Sequence, residues 1–255
     1  MAEGSLLMQR EQRPVTVGIV YPDHAAEDDY PYAADLLGVA LPVAHIYGTD
    51  LHAVPELLDL GSPARLAGGV AQLAGRNLDA LVWACTSGSF VYGPEGARLQ
   101  VEQLARAAGD VPTTSTGIAF TEALRALGLS RVAVAASYPR DVAELFVAFL
   151  AAGGTEVVSL ADAGIDTAAE VGTLPEDAVI EFVACNDRPD AEALVVPDTA
   201  MHTLRILPEL EKRIGKPVLT ANQVTVWHGL QCAGYTVICP DLGSLFEEDA
   251  DHGAR

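Results

Sequence analysis

The sequence predicts an α/β protein of two pseudo-symmetric, Rossmann-like halves, each a parallel sheet flanked by helices, with the functional cleft between them. Two observations carry this. A short β-branched run, a break rich in Gly, Pro, Ser and Thr, and a stretch rich in Ala, Leu, Glu and Arg recur in that order along the chain, which is the grammar of βα units. The pattern also repeats on a larger scale: LDALVWACTSGSF ends a strand on Cys-Thr-Ser and turns into a helix, and AEALVVPDTAMHT ends one on Asp-Thr and does the same. Each segment is followed by a helix and then by a VP or KPV strand.

Taken in order, strands are expected at 16–21, 40–45, 80–84, 113–114, 131–135, 156–160, 193–196, 217–220 and, more weakly, 235–238. Helices are expected at 62–76, 93–108, 117–126, 139–151, 175–185, 201–214 and 223–233. No linker separates the halves, so the chain should cross near 115–120 and return near 221–227. This gives a first half of residues 15–117 plus 223–247, a second half of 118–222, and disordered tails at 1–14 and 248–255.

Bulk properties bound the function. A chain of 255 residues, half of them hydrophobic, can bury a sizeable core. Its longest apolar runs, such as 78–85, are too short to span a bilayer, and the opening MAEGSLLMQREQRP lacks the apolar region of a signal peptide. The cytoplasm is the expected compartment. A net charge of −20 repels phosphate backbones and anionic lipid, which excludes nucleic acid and membranes as expected partners. Cys85, Cys185, Cys232 and Cys239 have no CxxC spacing and read as free thiols. GxGxxG after the first strand, GxxxxGK[ST], HExxH and GxSxG are all missing, and the six histidines show no ligand spacing with cysteines or carboxylates. Neither a nucleotide cofactor nor a catalytic metal is expected.

In parallel α/β sheets, ligands bind beyond the carboxyl ends of the strands. Cys85 stands there, in Ala84-Cys85-Thr86-Ser87-Gly88-Ser89, where small residues admit backbone N–H groups and hydroxyls add donors. Such donors would depress the thiol pKa and make Cys85 a thiolate base or nucleophile. The alternative is a small buried hydrophobe at a strand end. Asp198 holds the equivalent place in the second half, between Pro197 and Thr199, as an acid/base partner or an ordinary helix N-cap. Tyr138, after the strand VAVAAS, is a candidate donor to a substrate carboxylate or a half-buried loop aromatic. His24 lies in an acidic loop with Glu27, Asp28 and Asp29 and is expected to face solvent, whereas His202 either tunes Asp198 or sits on a helix surface. The loops 22–35 and 164–174 should shape the pocket.

The opening strand TVGIVYPD, the CTSGSF loop, the run PTTSTGIAFTEALRALGLSRVAVAASYPRDV and the segment PDTAMHTLRILPELEKRIGKPVLTAN resemble the aspartate/glutamate racemase superfamily, in particular its arylmalonate decarboxylase and maleate isomerase branch. The resemblance runs from about residue 15 to 246. It implies two α/β halves, no cofactor, a small carboxylic or dicarboxylic acid substrate, and a reactive residue from each half, usually a pair of cysteines. Cys85 falls on the first cysteine. Thr86, Ser87 and Tyr138 match donors that cradle a substrate carboxylate, and Tyr21, Pro22 and Thr199 complete the expected binding set. Asp198 departs from the pattern, standing where the second cysteine belongs. A carboxylate is a far weaker base than a thiolate, so two-thiol racemization is disfavoured. The expected activity is that of a maleate-isomerase-like isomerase or racemase using Cys85, with arylmalonate-type decarboxylation and non-catalytic carboxylate binding as alternatives. A homo-oligomer is left open.

Overall fold

The computed structural model describes residues 13–247. Its eight strands form two four-stranded sheets of the same connectivity. The first contains β1 (Val17–Pro22), β2 (Val43–Ile46), β3 (Ala80–Trp83) and β4 (Thr113–Ser115) in the order β2-β1-β3-β4. The second contains β5 (Arg131–Ala136), β6 (Glu156–Asp162), β7 (Ala193–Val196) and β8 (Val218–Thr220) in the order β6-β5-β7-β8. Every pairing is parallel. The inner strands β3, ALVW, and β7, ALVV, are buried at every residue, as expected of strands covered on both faces. They match in the two sheets, and Cys85 and Asp198 each lie two residues beyond their ends.

The helices are α1 (Asp29–Leu37), α2 (Val54–Leu60), α3 (Pro63–Gln72), α4 (Ser87–Phe90), α5 (Gly93–Ala107), α6 (Thr116–Ala126), α7 (Arg140–Ala152), α8 (Ala168–Val171), α9 (Glu176–Cys185), α10 (Leu207–Ile214) and α11 (Ala221–Cys232). The last helix after each sheet reaches across to the other half. Phe120 of α6 packs edge-on against Phe146 of α7, with ring centroids 5.3 Å apart. Returning from β8, α11 brings Gly229 so close to the first sheet that a Cβ there would stand 2.8 Å from both Val17 and Val82. Near their starts the two helices are joined by the hydroxyls of Thr116 and Thr225, 2.6 Å apart. One buried cluster accordingly contains Val17 and Val82 of the first sheet together with Val132 and Val195 of the second.

Besides adding the short helices α2, α4 and α8, the structure departs from the expected elements in three places. The loop expected over 22–35 contains α1, whose Tyr30, Ala33 and Leu37 are buried at helical spacing. The helix expected over 201–214 begins only at Leu207, after a 3₁₀ turn, because Pro208 has no N–H to give and fits the first helical turn. No strand forms at 235–238: Tyr235 and Val237 lean on the core without a ladder partner, and Ile238 is 57% exposed. Of the expected tails, residues 13 and 14 are described, and Arg13 pairs with Asp79 at 2.6 Å. Residues 1–12 and 248–255 lie outside the described residues. Among the described residues no helix is long and apolar enough to cross a membrane.

Candidate active site

Cys85 is placed by its own loop. The backbone turns from β3 into α4, so Gly88 donates its N–H to Cys85 Sγ at 3.2 Å, and the Ser87 hydroxyl lies 3.7 Å from the same sulfur. This approach requires a glycine, since a Cβ on residue 88 would stand 2.8 Å from the Trp83 ring and 3.1 Å from Cys85 Sγ. The donors were expected to depress the thiol pKa. Instead burial dominates and pushes it up to about 11, with Asp198 adding to the rise while Gly88 and Ser87 oppose it. Cys85 is a free thiol that rests protonated at neutral pH.

Asp198 is held by partners from several elements. The Ser137 hydroxyl, just past the end of β5, donates to Oδ2, and the Ala200 N–H donates to Oδ1 at 2.9 Å. No helix starts here, so capping does not account for this buried carboxylate. His52 Nε2 stands 4.0 Å from Oδ2. The other ring nitrogen, Nδ1, lies 3.0 Å from the Ile165 carbonyl, which can only accept, so the proton is assigned to Nδ1 and Nε2 faces the carboxylate. The following residue is tied to the first half, with the Thr199 carbonyl accepting from the Tyr21 hydroxyl at 2.8 Å and from Asn222 Nδ2 at 3.2 Å.

These groups meet in one narrow cleft. Cys85, Ser87, Asp198, Thr199, Tyr21 and Pro22 all line it. Leu51, Leu57 and Leu60 form an apolar wall. Two expected binding residues do not reach the cleft wall. Tyr138 is buried and spends its hydroxyl on the Pro197 carbonyl at 2.6 Å; Thr86 is fully buried, its hydroxyl without a hydrogen-bond partner. Burial, reinforced by Asp198 and Cys85, holds the Tyr138 hydroxyl well above its ordinary pKa, so it stays protonated. Tyr21 offers the cleft only its ring, because its hydroxyl also accepts from the Ala26 N–H at 2.9 Å. It is a positioning residue for the Asp198 loop.

Among the histidines, His24 is exposed as expected. His202 pairs with Asp28 at 3.0 Å, in the irregular stretch before α10. The histidine beside Asp198 is His52, for which the sequence carried no signal: it precedes α2 in a stretch without strand-end grammar. Ser137 was detectable in principle, since it directly follows β5, at the carboxyl edge of the second sheet. Asp29, read as part of an exposed acidic loop, is 1% exposed. Burial raises its pKa to about 6 against the pull of Asn222 Nδ2 at 2.8 Å and the Thr203 N–H at 3.2 Å.

A sequence profile described as arylmalonate decarboxylase matches residues 64–246. The arylmalonate decarboxylase of Bordetella bronchiseptica is 35% identical over 170 residues, covering 64% of this chain and 69% of that protein. The maleate isomerase of Nocardia farcinica is 30% identical over 186 residues, covering 71% and 74%. Among solved structures, the Nocardia farcinica maleate cis-trans isomerase with a covalently bound succinylcysteine intermediate superposes with a TM-score of 0.84, covering 92% of this chain and 99% of that one. At 24% identity this last likeness is one of fold.

Proposed function

The chain belongs to the arylmalonate decarboxylase family, and from that premise we propose that it is a cofactor-independent isomerase of a small dicarboxylic acid, acting at a carbon next to a carboxylate. The observation that carries this reading is that a thiol and a carboxylate from equivalent strand ends of the two halves line one cleft. In the proposed reaction Cys85 Sγ adds to one alkene carbon of a maleate-like substrate while its proton passes to Asp198. The π pair moves onto the neighbouring carbon and its carboxylate as an enediolate. Rotation about the new single bond follows. Elimination then breaks the C–S bond, re-forms the double bond in the trans sense and returns the proton to sulfur.

Since the thiol pKa is about 11, ionising Cys85 at pH 7 costs about 5 kcal/mol. The thiolate therefore forms together with bond formation, and Asp198 serves as proton acceptor within that step. The Ser87 hydroxyl and nearby N–H groups supply preorganised donors to the developing enediolate. The cytoplasmic placement draws on the four free cysteines.

A second reading, decarboxylation of a malonate-type diacid, is favoured by the leucine wall and the raised thiol pKa. A carboxylate against Leu51, Leu57 and Leu60 is desolvated and leaves more readily as carbon dioxide; its bond pair stays behind as an enediolate, and Cys85 donates the proton to carbon. Incubation with maleate, D- and L-aspartate and glutamate, and phenylmalonate in deuterium oxide separates the two. Isomerization without gas release is expected. Carbon dioxide release without isomerization overturns the first reading, and ligand binding without turnover of any acid, unchanged in Cys85→Ala, reduces the protein to a carboxylate binder.

A further inference from the structure

We propose that His24, Glu27 and His45 form a binding site for a divalent transition metal ion of the Zn²⁺ class on the rim of the cleft. One ligand atom from each residue lies within 4.8 Å of the other two. Glu27 Oε2 and His45 Nε2 are both buried and lack any hydrogen-bond partner, although they face each other at 3.4 Å. An orphaned acceptor beside an orphaned imidazole nitrogen is costly to bury unless something joins them. Donors each about 2.1 Å from a tetrahedral zinc ion are about 3.4 Å apart, which is the spacing these two atoms present.

The rest of the geometry fits the same occupant. The His24 and His45 rings lie nearly face to face, with centroids 4.0 Å apart and planes 30° apart, so both bring a nitrogen to the Glu27 carboxylate. His24 Nδ1 is 2.8 Å from Glu27 Oε1, and the ion takes the place of this hydrogen bond. His24 Nε2 remains on the Tyr47 hydroxyl at 2.9 Å, an outer partner that holds the ring and leaves Nδ1 for the metal. Two imidazoles and one carboxylate suit Zn²⁺ and its neighbours; Ca²⁺ and Mg²⁺ prefer oxygen donors. The acidic surroundings, with Asp23 acting on His24 and a net charge of −20, draw cations in.

His24 and Glu27 sit in the turn between β1 and α1, and His45 lies on β2. Pro22, Asp23 and Ala25 of the same turn line the cleft. A bound ion therefore pins this turn to the neighbouring strand and stiffens the cleft rim. Three protein donors leave a fourth tetrahedral position for water. Sequence spacing alone does not reveal the site, because the third ligand comes from the next strand.

The test is a titration of chelator-treated protein with ZnCl₂, followed by calorimetry and by thermal unfolding. A Cys185→Ser background removes the exposed thiol as a competing ligand. One ion per chain and a rise in Tm with zinc are expected, since the ion binds the folded state. His24→Ala, at an exposed position, and the isosteric Glu27→Gln should each weaken binding by at least about tenfold and remove the Tm rise. Absence of saturable one-to-one binding, or affinity undiminished from the parent in either variant, overturns the proposal, whatever the chemistry of Cys85.

Discussion

The two reactive positions occupy matching strand ends but are held in opposite ways. Cys85 is positioned locally: β3 delivers it, α4 follows at once, and its contacts to Gly88 and Ser87 lie within three residues. Asp198 is positioned by distant elements, through Ser137 just past β5, the nearby His52, and a Thr199 carbonyl gripped by Tyr21 and Asn222. Their surroundings differ as well. Burial leaves the thiol neutral, while the carboxylate accepts from the Ser137 hydroxyl and the Ala200 N–H. The proposed mechanism uses this contrast, with a proton-bearing nucleophile in the first half and an acceptor in the second.

Breaking either side tests this contrast most severely. Cys85→Ala should lower turnover by about 10³-fold or more, because no other group in the proposed mechanism can form the covalent bond. Single-turnover kinetics checks it, and residual activity near the parent level would remove Cys85 from the mechanism. Asp198→Asn keeps the shape and the Ala200 contact while deleting the proton acceptor. A fall of about 10² to 10³-fold in kcat is expected. If KM alone changed, Asp198 would be a binding residue.

Asp29 sharpens the comparison by showing a buried carboxyl outside the cleft. Its pKa is raised to about 6 from 3.8, so its protonated form is the one the fold prefers. That contribution is complete below about pH 4 and is lost as pH rises through 6, amounting to about 3 kcal/mol. Asp29→Asn should abolish this portion of the pH dependence, read as the difference between the urea midpoints of parent and variant from pH 4 to 7. Equal slopes for the two proteins would show that Asp29 titrates normally.

The smaller effects probe how each loop is held. Gly88→Ala forces a Cβ against Trp83 and Cys85 and should cost about 1 to 3 kcal/mol in thermal stability, with a loss of turnover as the sulfur shifts. Tyr21→Phe removes the donor to Thr199 and the acceptor for Ala26, costing about 1 kcal/mol. Its kinetic signature should be a lower kcat with little change in KM, since the hydroxyl faces Thr199. A raised KM at constant kcat would restore Tyr21 as a substrate contact.

The sequence by itself determined the βα order, the two sheets, and the placement of Cys85 and Asp198 at equivalent strand ends, because alternating apolar runs and breakers are local signals. Local patterning also reached too far, extending a helix back to residue 201 and predicting a strand at 235–238 where no ladder forms. Tertiary structure alone decided the rest. It buried Asp29 under Asn222 and the backbone of Thr203, set His52 beside Asp198, spent the Tyr21 hydroxyl on the Thr199 carbonyl, and raised the Cys85 thiol to about 11 where nearby donors had argued for a thiolate. Dielectric environment and contacts between segments far apart in the chain have no period in the sequence, and these two quantities set the chemistry of the cleft.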